Sequence, residues 1–500
     1  MSPLSRFSLA LAAGALAACG FAPWNLWPLT IAAVALLLAM LDRASTRRGA
    51  FGTGWMFGIG NFTAGFAWIA HAFTYQEAMP AWLGWPTVVL LSMFLALYVG
   101  LAALIASAVR QPLARVLLFA AAWMLGEWLR GWVLSGFAWN PLGSAWLTLP
   151  VVPQAAAWVG ALGLSGAMVL AGGVVWLATR RQWRMAAGAA SGMLAIAALG
   201  LVPRSELPMR PTMLHIVQPN IGQEDRWNPA AEATHLRLQL DLTRAALGPR
   251  SGRPAALVLW SESAVQGLAE EDAGLRAQLA NVLAPGDLLL FGGIAVTRDA
   301  VGAATGAYNS LFVLDSAARL RGRYDKAHLV PLGEYVPAHD LMTAIGLARL
   351  SPGNLGFLSG SGPRTLPLSG FPDVGVQICY EMIFPAAVVD PTRRPAWLLQ
   401  PSNDSWYGAW MQPQHVAQAQ LRAIEEGLPV ARATPNGTSA LIDAHGRVVR
   451  SVASRTAGVI SAPLPAALAP TWFARFGHWT SFGLGLLLVA GAFVANRRRI

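Results

Sequence analysis

Eight apolar runs divide this chain, most of them near the roughly 20 residues that a helix needs to cross a bilayer. They lie near 7–22, 27–41, 51–71, 86–108, 113–135, 155–178, 185–202 and 478–495. Such runs must be buried in lipid or in one another, and the composition favours lipid. Hydrophobic residues make up 55% of the chain and charged ones only 12%, against roughly a quarter charged in soluble domains. The mean hydropathy of +0.46 agrees. The expectation is a polytopic α-helical membrane domain of about eight spans, seven of them within 1–202 and the eighth within 473–500.

Basic residues at span ends orient the runs, because they stay on the cytoplasmic side. Arg6 precedes the first run; Arg43, Arg47 and Arg48 follow the second, Arg110 and Arg115 the fourth, and Arg180, Arg181 and Arg184 the sixth. Arg497, Arg498 and Arg499 close the chain, while the alternate loops around 22–27, 72–85 and 136–154 hold no Lys or Arg. Both termini are therefore expected in the cytoplasm, and 203–472 on the opposite face, the periplasm if the membrane is a bacterial inner membrane. These twelve arginines, offset by Asp42, account for the whole formal charge of +11. The excess is topological and gives no sign of nucleic acid, whose binding requires basic residues clustered on one folded face.

Residues 203–472 have the rhythm of a globular domain. Short β-rich runs such as "TMLHIVQPNI", "AALVLWSESAV", "DLLLFGGIAV", "VGVQICYEMIF" and "AWLLQPSNDSWY" alternate with helical stretches such as "AAEATHLRLQLDLTRAAL" and "HVAQAQLRAIEEGLP". That alternation predicts a layered α/β sheet domain. The closing "TSALIDAHGRVVRSVASRTAGVISAPLP" reads as a hairpin with further strands.

Three residues in this domain stand out chemically. Cys379 is its only cysteine, so it has no disulfide partner there and is either an inert buried thiol or a reactive one. It ends an apolar strand and is followed at once by "YE", the kind of strand end where α/β sheets present active-site groups. A nucleophilic thiol needs a base and an oxyanion donor. His328 and His415 are candidate bases; so is Glu262, at the end of the apolar "LVLW" run, where a carboxylate is costly without a partner or a task. A loop-edge salt bridge is the competing reading for Glu262. Lys326 is the single lysine among 36 basic residues, which suggests a place where a compact ammonium fits and a planar guanidinium does not; chance is the alternative.

Glu262 in "WSES", Lys326 in "YDKAHLVPLGEYVP" and Cys379 in "ICYE" resemble the Glu, Lys and Cys triad of the nitrilase superfamily. With membrane runs on both sides, the arrangement resembles that superfamily's membrane-bound branch, the apolipoprotein N-acyltransferase family. The likeness extends to "QPNIGQEDRWNP", "SNDSWYG", "RATPNG" and, within the membrane part, "GEWLRGWVLSGFAWNPLG". Pro435 in "TPNG" is a local departure.

The resemblance implies an αββα sandwich over 203–472 and a reaction without metal or other cofactor. An acyl chain would pass from a membrane phospholipid, typically phosphatidylethanolamine, to Cys379 as a thioester. It would then pass to the N-terminal α-amine of a diacylated apolipoprotein. Carried over by resemblance, Glu262 is the general base, Lys326 the oxyanion donor, Glu334, Tyr380 and Glu381 supporting residues, and Trp227 and Trp406 substrate-contacting aromatics. His328 and His415 are then structural, and a monomer is expected. A membrane-tethered amidase or nitrilase using the same triad is the alternative; a transporter or silent binding protein would leave the triad unexplained.

Two further features stay open. Glu127 and Arg130 are spaced to share one helix face inside the membrane, and either function or internal pairing would explain them. "LAAC", ending at Cys19, resembles a lipoprotein cleavage signal, but the family retains its first span. An intact mass starting at Cys19 would contradict retention here.

Overall fold

Each apolar run folds as a helix that begins and ends close to its expected bounds. The computed structural model describes residues 2–75, 80–205, 208–226, 228, 230–249, 252–331, 333–335 and 356–497. The first seven helices are α1 (Pro3–Ala18), α2 (Trp27–Asp42), α3 (Arg47–Gly65), α4 (Gly84–Ala106), α5 (Pro112–Arg130), α6 (Ala156–Thr179) and α7 (Trp183–Leu199), and the last of the chain is α11 (His478–Arg497). Local sequence explains several starts. Pro3 and Pro112 occupy first-turn positions, and the side chains of Ser2, Thr46 and Gln111 accept from the free N–H groups of Ser5, Gly49 and Ala114, as capping predicts.

Among the described residues, four helices are long and apolar enough by themselves to cross a membrane: Ala81–Ala106, Pro112–Arg130, Val152–Thr179 and His478–Arg497. Pro3–Ala18, Trp27–Asp42 and Trp183–Leu199 are apolar but shorter, and α3 carries Arg47, Arg48 and Asn61. Length and composition thus support four crossings of the eight expected.

Between α7 and α11 lie two six-stranded sheets. The first has the order β12-β1-β2-β3-β4-β5, built from β1 (Met209–Gln218), β2 (Ala256–Leu259), β3 (Leu288–Arg298), β4 (Ala304–Asp315), β5 (Leu320–Asp325) and β12 (Gly458–Pro465). The second has the order β11-β10-β9-β8-β7-β6, built from β6 (Thr365–Leu368), β7 (Phe371–Val376), β8 (Trp397–Pro401), β9 (Val430–Ala433), β10 (Ser439–Ile442) and β11 (Val448–Val452). Pairing is parallel at the centre of each, β1–β2–β3 and β7–β8–β9, and antiparallel toward the edges.

The two-residue period of the strands sets the layers. Leu257, Leu259, Leu288, Leu290, Leu311 and Val313 point inward and pack against Val374, Val376, Trp397, Leu399, Ala431 and Leu441 of the other sheet. Their alternates Val258, Leu289 and Phe291 face outward, under α8 (Glu232–Leu247) and α9 (Ala273–Ala280). On the far side Leu398, Val430, Ala440 and Ile442 are covered by α10 (Gly408–Glu426). Gly427 stops α10 by taking φ +67, the left-handed cap that favours glycine. The result is the helix, sheet, sheet, helix sandwich expected of the α/β segment.

The sandwich is joined to the helical part by buried hydrogen bonds. Gln414 Oε1 accepts from the indole N–H groups of Trp68 (3.0 Å) and Trp139 (2.9 Å). Glu425 Oε1 accepts from Ala161 N (2.7 Å), just after α6 breaks at Gly160, so a carboxylate of the sandwich caps a membrane-side helix.

Candidate active site

The end of β2 places Glu262. Beyond Leu259 the chain still follows β3, with Trp260 N donating to Leu290 O (2.9 Å) and Gly292 N to Ser261 O (3.1 Å). It then turns off at Ser263, whose φ is +47. The junction is tight: a Cβ on Gly292 would lie 2.5 Å from Ser263 N and 2.7 Å from Glu262 Cα. Gly292→Ala should therefore destabilise the protein by about 1–3 kcal/mol and slow the chemistry by shifting Glu262. Thermal unfolding together with a rate measurement checks this, and unchanged values of both would contradict the close approach.

The Glu262 side chain is buried and fully engaged. Its Oε1 accepts from Asn309 Nδ2 (2.7 Å) and from Lys326 Nζ (3.4 Å), and its Oε2 accepts from the backbone N–H of Asn403 (2.7 Å). It is thus an ion-paired carboxylate, but one in the interior rather than at a loop edge. Lys326 lies just past β5, 1% exposed, with Nζ donating to Glu334 Oε1 at 2.8 Å. The Asn309 amide also donates to Glu334 Oε1 (3.0 Å), and Glu334 Oε2 accepts from Val330 N (2.8 Å). Two carboxylates therefore share one ammonium and one amide. Burial opposes the charge on Lys326, but Glu334, Glu262 and Cys379 outweigh it and hold its pKa well above the ordinary value. The ammonium stays protonated and able to donate.

Cys379 opens the turn Cys379–Ile383 after β7. Its φ of +52 is uncommon for a residue with a side chain, and such strained positions concentrate at functional sites. Burial pushes the thiol up, Glu262 adds to this, and Lys326 only partly offsets it, so the thiol is held well above its usual range. It is protonated at rest and needs a base to react, and Glu262 and Lys326 are the charged groups that act on it most strongly.

Glu381 ties the turn of Cys379 to the loop of Lys326. Its Oε1 accepts from Tyr324 OH (2.8 Å), Ala327 N (2.8 Å) and His328 N (3.1 Å), and its Oε2 from Ile378 N (2.7 Å). Burial pushes this carboxyl up to about 7 although all four contacts are donors. Tyr380 OH donates to Gly136 O (2.8 Å) and His328 Nε2 to Ser135 O (2.7 Å), so the loop after α5 touches both sides of the site. Trp406 stands apart from this cluster, with its ring edge-on to Tyr75 at 6.2 Å. Trp227 lies outside the described residues.

Glu127 and Arg130 sit 4.0 Å apart and hold that same loop. Arg130 Nη1 donates to Phe137 O (2.9 Å) and Trp139 O (2.8 Å), while Glu127 Oε1 accepts from Leu142 N (2.7 Å).

Asn309, Asn403, Asp404 and Arg432 are not singled out by sequence reasoning, whereas His415 enters it as a candidate base and then as a structural residue. Asn309 is a polar residue in mid-strand, its only signal being a break in an apolar run. Asn403 acts through its backbone. His415 Nε2 lies 3.1 Å from Cys379 O, while its Nδ1 is 3.1 Å from Asp404 Oδ1. Arg432 pairs with the other oxygen of Asp404. Burial opposes the charge on Asp404, but Arg432 and His415 outweigh it and hold the carboxyl well below its usual range. A depressed carboxylate contributes stability that is complete above its unfolded pKa and lost as pH falls through the folded one. Asp404→Asn should thus cost about 3–5 kcal/mol at neutral pH, with the gap from wild type closing below pH 3.8, the ordinary value. Unfolding transitions across a pH series check this; a gap that widens in acid would contradict it.

Comparison with known proteins places this arrangement. The profile described as apolipoprotein N-acyltransferase N-terminal domain matches residues 13–174, and that described as carbon-nitrogen hydrolase matches 215–472. An apolipoprotein N-acyltransferase of Rhodopseudomonas palustris is 37% identical over 499 residues, covering 95% of this chain and 92% of that one. Those of Bradyrhizobium diazoefficiens and Caulobacter vibrioides are 35% and 37% identical, each covering 99% of this chain and 95% of its own. Matched across nearly its whole length, this chain belongs to the apolipoprotein N-acyltransferase family.

Proposed function

We propose that this protein moves an acyl chain from a membrane phospholipid, typically phosphatidylethanolamine, to the N-terminal α-amine of the diacylglyceryl-cysteine of apolipoproteins. Glu262 takes the thiol proton as Cys379 sulfur attacks the ester carbonyl, and Lys326 donates to the oxyanion that forms. The ester C–O bond breaks, the proton passes to the leaving oxygen, and a lysophospholipid departs. The lipoprotein amine then attacks the thioester, giving up its proton through Glu262 to the departing thiolate as the amide forms. Glu334 and Glu381 position Lys326 and the nucleophile's turn. Tyr380 couples that turn to the membrane helices, and Trp406 contacts acyl chains.

One observation carries this reading over amide hydrolysis: the residue after the nucleophile bonds directly to the loop after α5, through Tyr380 OH and Gly136 O. A thiol built onto membrane helices suits a donor and an acceptor that are both lipids. The names of the relatives support the same reaction. We further propose eight spans in a bacterial inner membrane, with membrane segments 1–202 and 473–500, both termini cytoplasmic, and residues 203–472 periplasmic.

The test supplies the purified full chain with phosphatidylethanolamine and a diacylated lipopeptide bearing a free α-amine. Formation of the triacylated peptide together with lysophospholipid is expected. Turnover of a soluble amide to its acid, with the lipopeptide untouched, would contradict the proposal and favour the hydrolase.

A further inference from the structure

Just after α5, one of the helices able by itself to cross a membrane, three residues in a row take left-handed backbone. They are Leu134 (φ +54), Ser135 (φ +72) and Gly136 (φ +78). Two of the three carry side chains, for which this region is uncommon. At Gly136 no side chain fits, since a Cβ there would run into Gly131 O. Arg130 fixes the exit of the turn by donating to Phe137 O and Trp139 O. Strained backbone of this kind persists only where its surroundings over-determine it, and it concentrates at functional sites.

The turn presents two successive carbonyls, one to each side of the site. Gly136 O accepts from Tyr380, next to Cys379, at 2.8 Å. Ser135 O lies 2.7 Å from Nε2 of His328, two residues after Lys326. A carbonyl only accepts, so Nε2 carries the proton of this contact. Burial holds the ring below its usual pKa although the Ser135 carbonyl opposes it, so the ring is neutral and its one proton is committed to this bond. The same ring stacks on Phe384 at 3.9 Å and meets Tyr380 edge-on at 5.6 Å, and the His328 backbone N–H donates to Glu381 Oε1 at 3.1 Å. These last contacts stay within the sandwich, joining the loop of Lys326 to the turn of Cys379. The bond to Ser135 leads elsewhere, to the end of a membrane helix.

Acyl transfer from a lipid gives that connection a use. The ester carbonyl of a bilayer lipid lies at a depth set by the bilayer, whereas a soluble ester approaches Cys379 freely. A site that slips by about 1 Å against the membrane helices can lose about 10²-fold in rate, and the loss falls on the bilayer donor. Resting on the acyl transfer proposed above, we propose that His328 is a positioning residue that, through Ser135 O, sets the height of Lys326 and Cys379 against the bilayer.

The test compares two rates of acyl-enzyme formation on Cys379, with the full chain held in lipid discs. One uses phosphatidylethanolamine as the disc lipid; the other uses a soluble short-chain activated ester in discs of ether-linked lipid, which has no acyl group to give. His328→Phe keeps a ring to stack on Phe384 and removes the N–H, whereas His328→Gln loses the ring and keeps an N–H near the place of Nε2. His328→Phe should lower the ratio of phospholipid rate to ester rate about tenfold or more, while His328→Gln should hold it within about threefold of wild type. Each ratio is internal to one protein, so a smaller folded fraction leaves it unmoved. A ratio unchanged in His328→Phe, or lowered more by His328→Gln than by His328→Phe, would overturn the proposal and leave acyl transfer standing. No adduct on wild-type Cys379 from phosphatidylethanolamine would instead contradict the transfer reading, and this proposal with it.

Discussion

Lys326→Arg should fail nearly as badly as Lys326→Ala, with acyl-enzyme formation slowed about 10²–10³-fold, the usual effect of removing one oxyanion donor. The reason lies in the packing. Lys326 is 1% exposed, and its Nζ lies 2.8 Å from Glu334 and 3.4 Å from Glu262. A guanidinium keeps the charge but is wider and planar, so it must displace one of the two carboxylates to enter. In the proposed mechanism, displacing Glu262 removes the base, and displacing Glu334 removes the group that orients the donor. The alanine variant loses the donor outright and leaves the buried Glu262 and the half-buried Glu334 sharing one amide. Rates of acylation by a phospholipid, measured for both variants alongside their melting temperatures, check the expectation. Normal turnover by the arginine variant would show that shape does not matter at this position.

Cys379→Ser should lose activity by on the order of 10⁴–10⁶-fold, the range seen when a member of a catalytic triad is removed. Burial and Glu262 already hold the thiol well above its usual pKa, so sulfur in this site ionises only with help from a base. A serine hydroxyl is a far weaker acid and asks more of the same Glu262. The substitution changes little in volume, so the fold and lipid binding should persist while the covalent intermediate disappears. An acyl adduct that still formed on the serine variant at a comparable rate would place the nucleophile elsewhere.

Glu262 and Cys379 stood out as polar residues at the ends of apolar runs, and Lys326 by its rarity. Glu262 follows "LVLW", Cys379 follows "VGVQI", and Lys326 is the only lysine in the chain. The two-sheet sandwich came only with the family resemblance, whereas the layered α/β organisation was legible because strand-like and helix-like runs alternate along 203–472. The short strands β6 and β9, four residues each, were not, because so few residues show no period. Nor was the support around the site, where Asn309, Asn403 with Asp404, and Arg432 come from separate segments. Only the fold converges them, and Asn403 contributes a backbone N–H that any residue but proline supplies. His415, expected to be structural, lies with Nε2 3.1 Å from the carbonyl oxygen of Cys379. In the membrane part the runs located the helices, while length and composition alone mark four crossings among the described residues, because α1, α2 and α7 are shorter apolar helices and α3 carries polar residues.

The most direct measurement is the intact mass of the purified protein after incubation with phosphatidylethanolamine, repeated after adding a diacylated lipopeptide with a free amine. A gain of one acyl group on Cys379 that is then lost to the peptide is predicted, with the protein returning to its starting mass. A gain discharged at the same rate without the peptide, or no gain from any phospholipid, would contradict acyl transfer through a Cys379 thioester.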